Sequence, residues 1–494
     1  MTVPATTLSL TGDGPQSRAS AGELLNFASG DDFARWERQL ATTGNCANPV
    51  RLRGRIDAID RATGEKATIY DTASEPGGVL RIPCGNRRED ICPPCSDVYK
   101  GDARQIIRSG LTGGGKGIPE SVATHPCVFA TLTAPGFGPV HTIRTGRRGR
   151  RLACRPRRDA HQRRCPHGRD LSCPRHHHED DPRLGTPMCP DCYDYTGHVL
   201  FNALAPELWR RFTIYLPRQL ARLAGVTQWQ LRRGVRVRFV KVAEYQHRGI
   251  IHYHAVIRLD AAGDDYQPPP PRYTAQMLEQ AIRATVAAVR YDVAAVTGDD
   301  PPLRRVLRFG TQTDVRAIRQ TSSLPGTGKA LSAQAVANYI AKYATKTINA
   351  AGLPDQPVHS AADIDALACS QHYKQLIATA WDLGKDPAAA QLGLNRWTHT
   401  LGYRGHFLTK SRRYSVTFTA LRRARINYRR AQRHPGGELD PWGRRLDDRI
   451  VLTISTWEYA GTGHANTAER ALALAAAARA RERERIGREE TWMN

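Results

Sequence analysis

The chain has 494 residues, 72 Lys and Arg against 47 Asp and Glu, and a net charge of +25. That length supports two or three domains, each with its own core. So large an excess of one sign repels itself unless a polyanion is the partner, which points to nucleic acid. No apolar run is long enough to cross a bilayer and no basic-then-apolar leader opens the sequence, so a cytoplasmic protein with no membrane partner is expected.

Residues 1–30 are polar and rich in Ser, Gly and Thr and are expected to be disordered. Short alternating runs such as "RLRGRIDAI" and "KATIYD" predict a small strand-rich region over 31–83. Residues 84–200 hold nine of the eleven cysteines, an arginine cluster at 144–164, and "HPCVFATLTAP", a buried strand at about 125–135. A core region is expected over 201–350: a helix at 206–224, a hairpin from "VRVRFVKVAEYQ" and "IIHYHAVIRL", a Pro-rich linker at 267–272, a helix at 274–296 and strand-like sequence at 303–318. "LPGTGKALS" at 324–332 mimics part of a phosphate-binding loop but lacks its spacing and a preceding apolar strand, so nucleotide binding is rejected there. A helix, "AQAVANYIAKYATKTI", covers 333–348. A basic region over 351–465 and a C-terminal helix or tail over 466–494 complete the chain, with no internal repeat. The predicted class is α+β, built on a central antiparallel sheet.

The stretch "KVAEYQHRGIIHYHAVIRLD" carries the most chemistry. His252 and His254 are two apart, so on a strand both imidazoles share one face while Tyr253 takes the other. A turn at Gln246–Gly249 then sets Glu244 opposite His252, where paired side chains lie about 5 Å apart. Two imidazoles and a carboxylate on one spot suit a divalent ion, with mixed N/O ligation favouring Mn²⁺ somewhat over Mg²⁺. His247, in the turn, is read as a surface residue. On the following helix Tyr339 and Tyr343 are four apart and share a face, each followed three residues later by a lysine, Lys342 or Lys346. Taken alone such a pair is more often a core feature. Beside a metal site in a basic chain, a phenol becomes a nucleophile for phosphorus, with lysine easing loss of its proton.

"CPPC" (Cys92, Cys95) and "CPDC" (Cys189, Cys192) have the spacing that puts two thiolates on one tetrahedral Zn²⁺. Cys84, Cys154, Cys165, His167, Cys173 and His177 supply further ligands, enough for two structural sites whose partition the spacing leaves open. Cys46, Cys127 and Cys369 stand apart and are taken as ordinary small residues. For DNA contact the candidates are Arg147, Arg148, Arg150, Arg151, Arg157 and Arg158 in the arginine cluster, then Lys410, Arg412, Arg413, Arg422 and Arg423. In the second group Tyr414, Phe418 and Tyr428 are interleaved as stacking residues.

These motifs carry a resemblance. The order of a "TLT" strand, a His-hydrophobic-His strand and a Tyr-x-x-Lys helix resembles the HUH endonuclease superfamily, and the doubled "YIAKYATK" its two-tyrosine branch. "CGNRREDICPPC", "FATLTAPGFGPVH", "CPHG", "CPDCYDY", "ELWRRFTI" and "YRGHFLTKSRRYSVTF" are similar to replication initiators of actinobacterial plasmids and integrative elements, over roughly 40–460. The resemblance implies a HUH nuclease core at 201–350 and a plasmid rolling-circle initiator that nicks one strand of the origin. It implies a 5′-phosphotyrosyl bond and a free 3′-OH that primes synthesis. Tyr253 is bulkier than the aliphatic residue usual between the histidines. Single-stranded, hairpin or supercoiled origin DNA is the expected partner, with a host helicase and polymerase, and self-association is left open. The competing functions are a zinc-containing DNA-binding regulator without nuclease activity and a conjugative relaxase.

Overall fold

The computed structural model describes residues 19–146, 149–156, 164–263, 265–293, 305–318, 333–345, 353–435, 437, 439–444 and 451–493. The chain divides into two compact units, one made of Met1–Tyr99 with Arg425–Asn494, the other of Lys100–Ala424. Elements are numbered in chain order.

The first unit starts with α1 (Ala21–Ala28) inside the segment expected to be disordered. Ser20 explains the correction: its hydroxyl accepts from the Glu23 amide while the Glu23 carboxylate accepts from the Ser20 amide, a reciprocal cap that nucleates a helix. After α2 (Phe33–Thr42) come β1 (Val50–Asp60), β2 (Lys66–Asp71) and β3 (Leu80–Ile82). β2 pairs antiparallel with β1, and β3 with the start of β1. On its other side β1 pairs with β13 (Val451–Thr462), from Val50 opposite Thr462 to Asp60 opposite Val451. Only glycine fits at position 54 in this pairing, because a Cβ there would lie 1.9 Å from the Thr456 carbonyl oxygen. Trp36 and Leu40 bury against Ala473 of α11 (Thr467–Met493), and Arg81 pairs with Glu469 at 3.0 Å out of solvent. The expected 351–465 region is therefore not one body. Its residues from Arg425 onward belong to this first unit.

α3 (Pro93–Thr112) leads into the second unit, whose sheet has the order β11-β4-β8-β7-β12, every pair antiparallel. Its strands are β4 (Cys127–Leu132), β7 (Val235–Tyr245), β8 (Ile251–Ala261), β11 (Thr313–Ala317) and β12 (Leu408–Lys410). The first core strand thus lies where the apolar run predicts, next to the His-Tyr-His strand. Between β4 and the long α4 (Tyr195–Leu223) sits a two-stranded ribbon, β5 (Arg144–Thr145) and β6 (Arg151–Leu152). α5 (Gln228–Gly234) precedes β7. α6 (Ala275–Ala288) stops short of the expected 274–296 helix, because Tyr291–Val293 (β9) pairs instead with Arg305–Leu307 (β10).

Alternation along β8 decides the layers. Tyr253, Ala255, Ile257 and Leu259 bury with Trp209 and Phe212 of α4 on one face. The opposite face receives α7 (Ala333–Thr345), which buries Val336, Ala337, Ile340 and Ala341 as an apolar stripe. α8 (Ala361–Ala366) and α9 (Gln371–Leu383) follow, and α10 (Phe418–Arg433) ends the unit, the division falling within it.

Candidate active site and metal centres

The β7–β8 register sets Glu244 directly opposite His252 and Val242 opposite His254. Glu244 Oε2 lies 2.7 Å from His252 Nε2 and 2.8 Å from His254 Nε2, three ligand atoms on one point. The neighbouring strand orients one ring: Thr131 of β4 is opposite His254, and its hydroxyl oxygen is 3.1 Å from His254 Nδ1. That partner at Nδ1 frees Nε2 to be the ligand atom, the usual division of labour in a metal-bound imidazole. Burial pushes the Glu244 carboxyl pKa up, but hydrogen bonds from His252 and His254 outweigh it and hold the group well below the usual carboxylate range. The carboxylate is thus ionised, as a divalent cation needs.

The hairpin turn is held from outside. Gly249 takes φ +82°, and a Cβ there would lie 2.7 Å from Leu401. Asn202 of α4 donates to the Gly249 and Leu401 carbonyls at 3.0 Å and accepts from the Ile251 amide at 2.9 Å. From α9, the Tyr373 hydroxyl donates to the His247 carbonyl and the His372 ring to that of Arg248. Four anchors on two helices make the turn, and hence the ligand positions, rigid.

Tyr339 of α7 meets this cluster. Its ring is edge-on to His254 at 5.5 Å between centroids and to Phe129 at 5.9 Å, and it stays 45% exposed. A cavity of about 310 Å³ lies beside it, lined by Phe129, Asp314, Arg316 and Val336. Tyr343 and Lys342 belong to α7, but their side chains are outside the described residues, as are Lys346 and residues 324–332.

The cysteines form three groups rather than the two expected: Cys46, Cys84, Cys92 and Cys95; His141, Cys154, Cys173 and His177; Cys165, His167, Cys189 and Cys192. The "CPPC" and "CPDC" pairs belong to different groups. Thiolates at about 2.3 Å from a tetrahedral zinc lie about 3.8 Å apart, and a thiolate–imidazole edge is slightly shorter. Cys46 Sγ is 3.7 Å from Cys92 Sγ and 3.6 Å from Cys95 Sγ, and Cys84 Sγ is 3.7 Å from Cys95 Sγ. Cys173 Sγ is 3.5 Å from His177 Nε2, and His167 Nδ1 is 3.2 Å from Cys192 Sγ. His177 also turns its Nδ1 to Asp181 at 2.6 Å, the carboxylate partner that orients a metal-bound imidazole. The donor sets and edges fit zinc.

The sequence sets Cys46 apart and gives His141 no metal-site signal, yet each completes a group of four. Neither sits in a short Cys or His spacing, the one signal available. Cys127 and Cys369 are buried and outside every group among the described residues.

The DNA-contact candidates fare unevenly. Arg147, Arg148, Arg157 and Arg158 lie outside the described residues. Arg150 is exposed, and Arg151 donates to the His177 carbonyl at 3.4 Å. Arg412, Arg422 and Arg423 are exposed, Arg413 is half-buried, and Lys410 is half-buried with its ammonium on the Ser411 and Arg412 carbonyls. Tyr414 is not a stacking residue. It is fully buried under Arg258 and its hydroxyl donates to the Ile107 carbonyl, while Tyr428 is 67% exposed. A Cβ on Gly110 would fall 2.2 Å from the Tyr414 ring, so a glycine makes room for it.

The family model described as "Replication initiator protein, pSAM2" matches residues 32–478, and the chain belongs to this family of replication initiator proteins. Among its relatives is a curated replication initiator protein of Streptomyces ambofaciens, 43% identical over 444 residues, which are 90% of each chain. No solved structure matches the chain. Among the described residues no helix is long and apolar enough to cross a membrane.

Proposed function

We propose that this initiator cuts one strand of plasmid origin DNA itself, as a rolling-circle nickase of the HUH type. The supporting observation is the approach of Tyr339 to within 5.5 Å, ring to ring, of one member of the Glu244–His252–His254 cluster. Tyr339 Oη attacks the scissile phosphorus, the new bond being Oη–P. The bond to the 3′ oxygen breaks on the far side, and that oxygen takes up a proton and becomes the priming 3′-OH. The phenol proton passes to solvent or to a neighbouring lysine, Lys342 or Lys346 being the candidates. A divalent ion, Mn²⁺ or Mg²⁺, held by Glu244, His252 and His254 would supply the polarisation of the phosphodiester. Glu244 stays ionised for this task, Thr131 holds the His254 ring, and Tyr343 follows one turn behind as the candidate for a second cut.

The three Cys/His groups are assigned structural Zn²⁺, since each offers four ligands and leaves no open position for chemistry. Arg412, Arg422 and Arg423 are placed on the DNA backbone. A host helicase and polymerase act on the exposed 3′-OH, and the reaction is cytoplasmic. A regulator without nuclease activity leaves the Glu244 cluster and the adjoining tyrosine without a task, which is why the nickase is preferred. The test is incubation with a single-stranded origin oligonucleotide and Mn²⁺. An EDTA-sensitive covalent protein–DNA adduct at Tyr339 is the expected result; its absence under every divalent ion tried would sink the reading.

A further inference from the structure

A second cavity, of about 470 Å³, has Glu244 in its wall. Its other walls come from the turn residues Gln246 and Arg248, from Gln312, and from His141, Thr142 and Gly185 of the second Cys/His region. The two sides are pressed together: Gly185 takes φ +82°, and a Cβ there would lie 2.3 Å from the His247 backbone. A volume of this order suits a small organic group.

The lining says which kind. Apolar Ala134, Val140 and Leu184 alternate with the amides and hydroxyls of Gln246, Gln312, Thr133 and Thr142. Arg248, the one Lys or Arg among the described lining residues, already donates to the Gln246 side chain and the Pro135 carbonyl. A phosphate would ask for several uncommitted cations. Apolar side chains mixed with hydrogen-bonding amides and hydroxyls suit a nucleobase drawn out of a stack.

Position along β4 then fixes which base. Phe129 touches Tyr339, Thr131 touches His254 two residues on, and Thr133 lines the cavity two residues further. From Phe129 and Thr131 on β4 to Thr133, just past its end at Leu132, the order is nucleophile, metal ligands, cavity. In a displacement at phosphorus the attacking and leaving oxygens are in line, on opposite sides. We propose that this cavity is the subsite for the base of the nucleotide whose 3′ oxygen leaves, immediately 5′ of the cut. Its outer wall is the segment held by the His141–Cys154–Cys173–His177 group, so a structural metal shapes substrate selection. The inference rests on the nickase reading and adds a specificity determinant to it.

The experiment is an abasic scan. Origin oligonucleotides, each lacking one base from three positions 5′ to three positions 3′ of the nick, are cleaved by the full chain. Loss of the base immediately 5′ of the cut should lower kcat/KM roughly tenfold or more, the scale of losing one stacked base. Thr142→Trp, which puts an indole in the cavity lining, should make the intact oligonucleotide as poor as the abasic one and erase the difference. Thr142→Ser should keep the wild-type scan. Gln312→Ala, at an exposed position and so safe for folding, should shrink the penalty at that one nucleotide. A flat scan, a penalty confined to another position, or one unchanged in both Thr142→Trp and Gln312→Ala overturns the subsite. If the intact oligonucleotide forms no adduct with the wild-type chain, the nickase reading fails instead.

Discussion

Tyr339 and His254 stand ring edge to ring face, 5.5 Å apart, although they are 85 positions apart in the chain. Tyr339→Phe keeps this contact and removes only the hydroxyl. The fold and DNA affinity should persist while adduct formation falls below detection, measured by gel shift under denaturing conditions. Tyr343→Phe should still make the first cut and fail in strand closure. First cutting by Tyr339→Phe at the wild-type rate would reverse the assignment.

Glu244→Gln keeps the size of the side chain and removes its charge. Cleavage should drop on the order of 10²–10³-fold, the scale seen when one group that stabilises a transition state is lost. The Mn²⁺ concentration at half-maximal rate should rise together with that loss. A variant with normal metal dependence would detach Glu244 from the ion.

Cys46 lies 38 residues before Cys84 and still completes its group. The purified chain should carry about three zinc ions, one for each tetrahedral group. Cys46→Ala should lose one of them and cost roughly several kcal/mol of stability, because binding at a structural zinc is coupled to folding. Cys369→Ala, in the core but outside every group among the described residues, should retain all three. Metal analysis and thermal melts on the two variants separate the outcomes.

Lys241 is buried on the face of β7 that α4 covers, with its ammonium 4.1 Å over the Tyr253 ring. Burial lowers its pKa to about 7. The sign follows from proton counting. Between pH 7 and the ordinary lysine value the unfolded chain binds the proton and the folded one does not, so this group makes stability rise with pH, by roughly 1.4 kcal/mol per unit. Below pH 7 both states are charged and the burial cost is felt in full. Lys241→Met should therefore raise the melting temperature most at pH 6 and least near pH 10. An equal gain at both values would mean that the ammonium keeps its charge when buried.

The Glu244–His252–His254 cluster was legible because its determinants are local. A glycine turn fixes the hairpin register, and a register fixes which carboxylate faces which imidazole, so Glu244, His252 and His254 could be placed together from one stretch of twenty residues. His141 and Cys46 could not, since their partners are brought near by folding over distances that carry no spacing rule. Tyr414 misled for a related reason. Its basic neighbours suggest a surface, while the space that buries it is made by Gly110, some three hundred residues earlier in the chain. The capped helix α1 lay in a stretch whose composition hid a reciprocal Ser20–Glu23 pair of only four residues.

The pairing of β1 with β13 has a bearing on how the chain is made. At ~5–20 residues per second, β1 leaves the ribosome some 20–80 s before the strand that will complete its sheet. The second unit, encoded wholly within that interval, has all its described strands in hand and can finish first. The half-built amino-terminal sheet must wait with β1 uncovered along one edge, the kind of edge that recruits stray strands. Nascent chains stalled before residue 451 are therefore where aggregation and chaperone demand should concentrate.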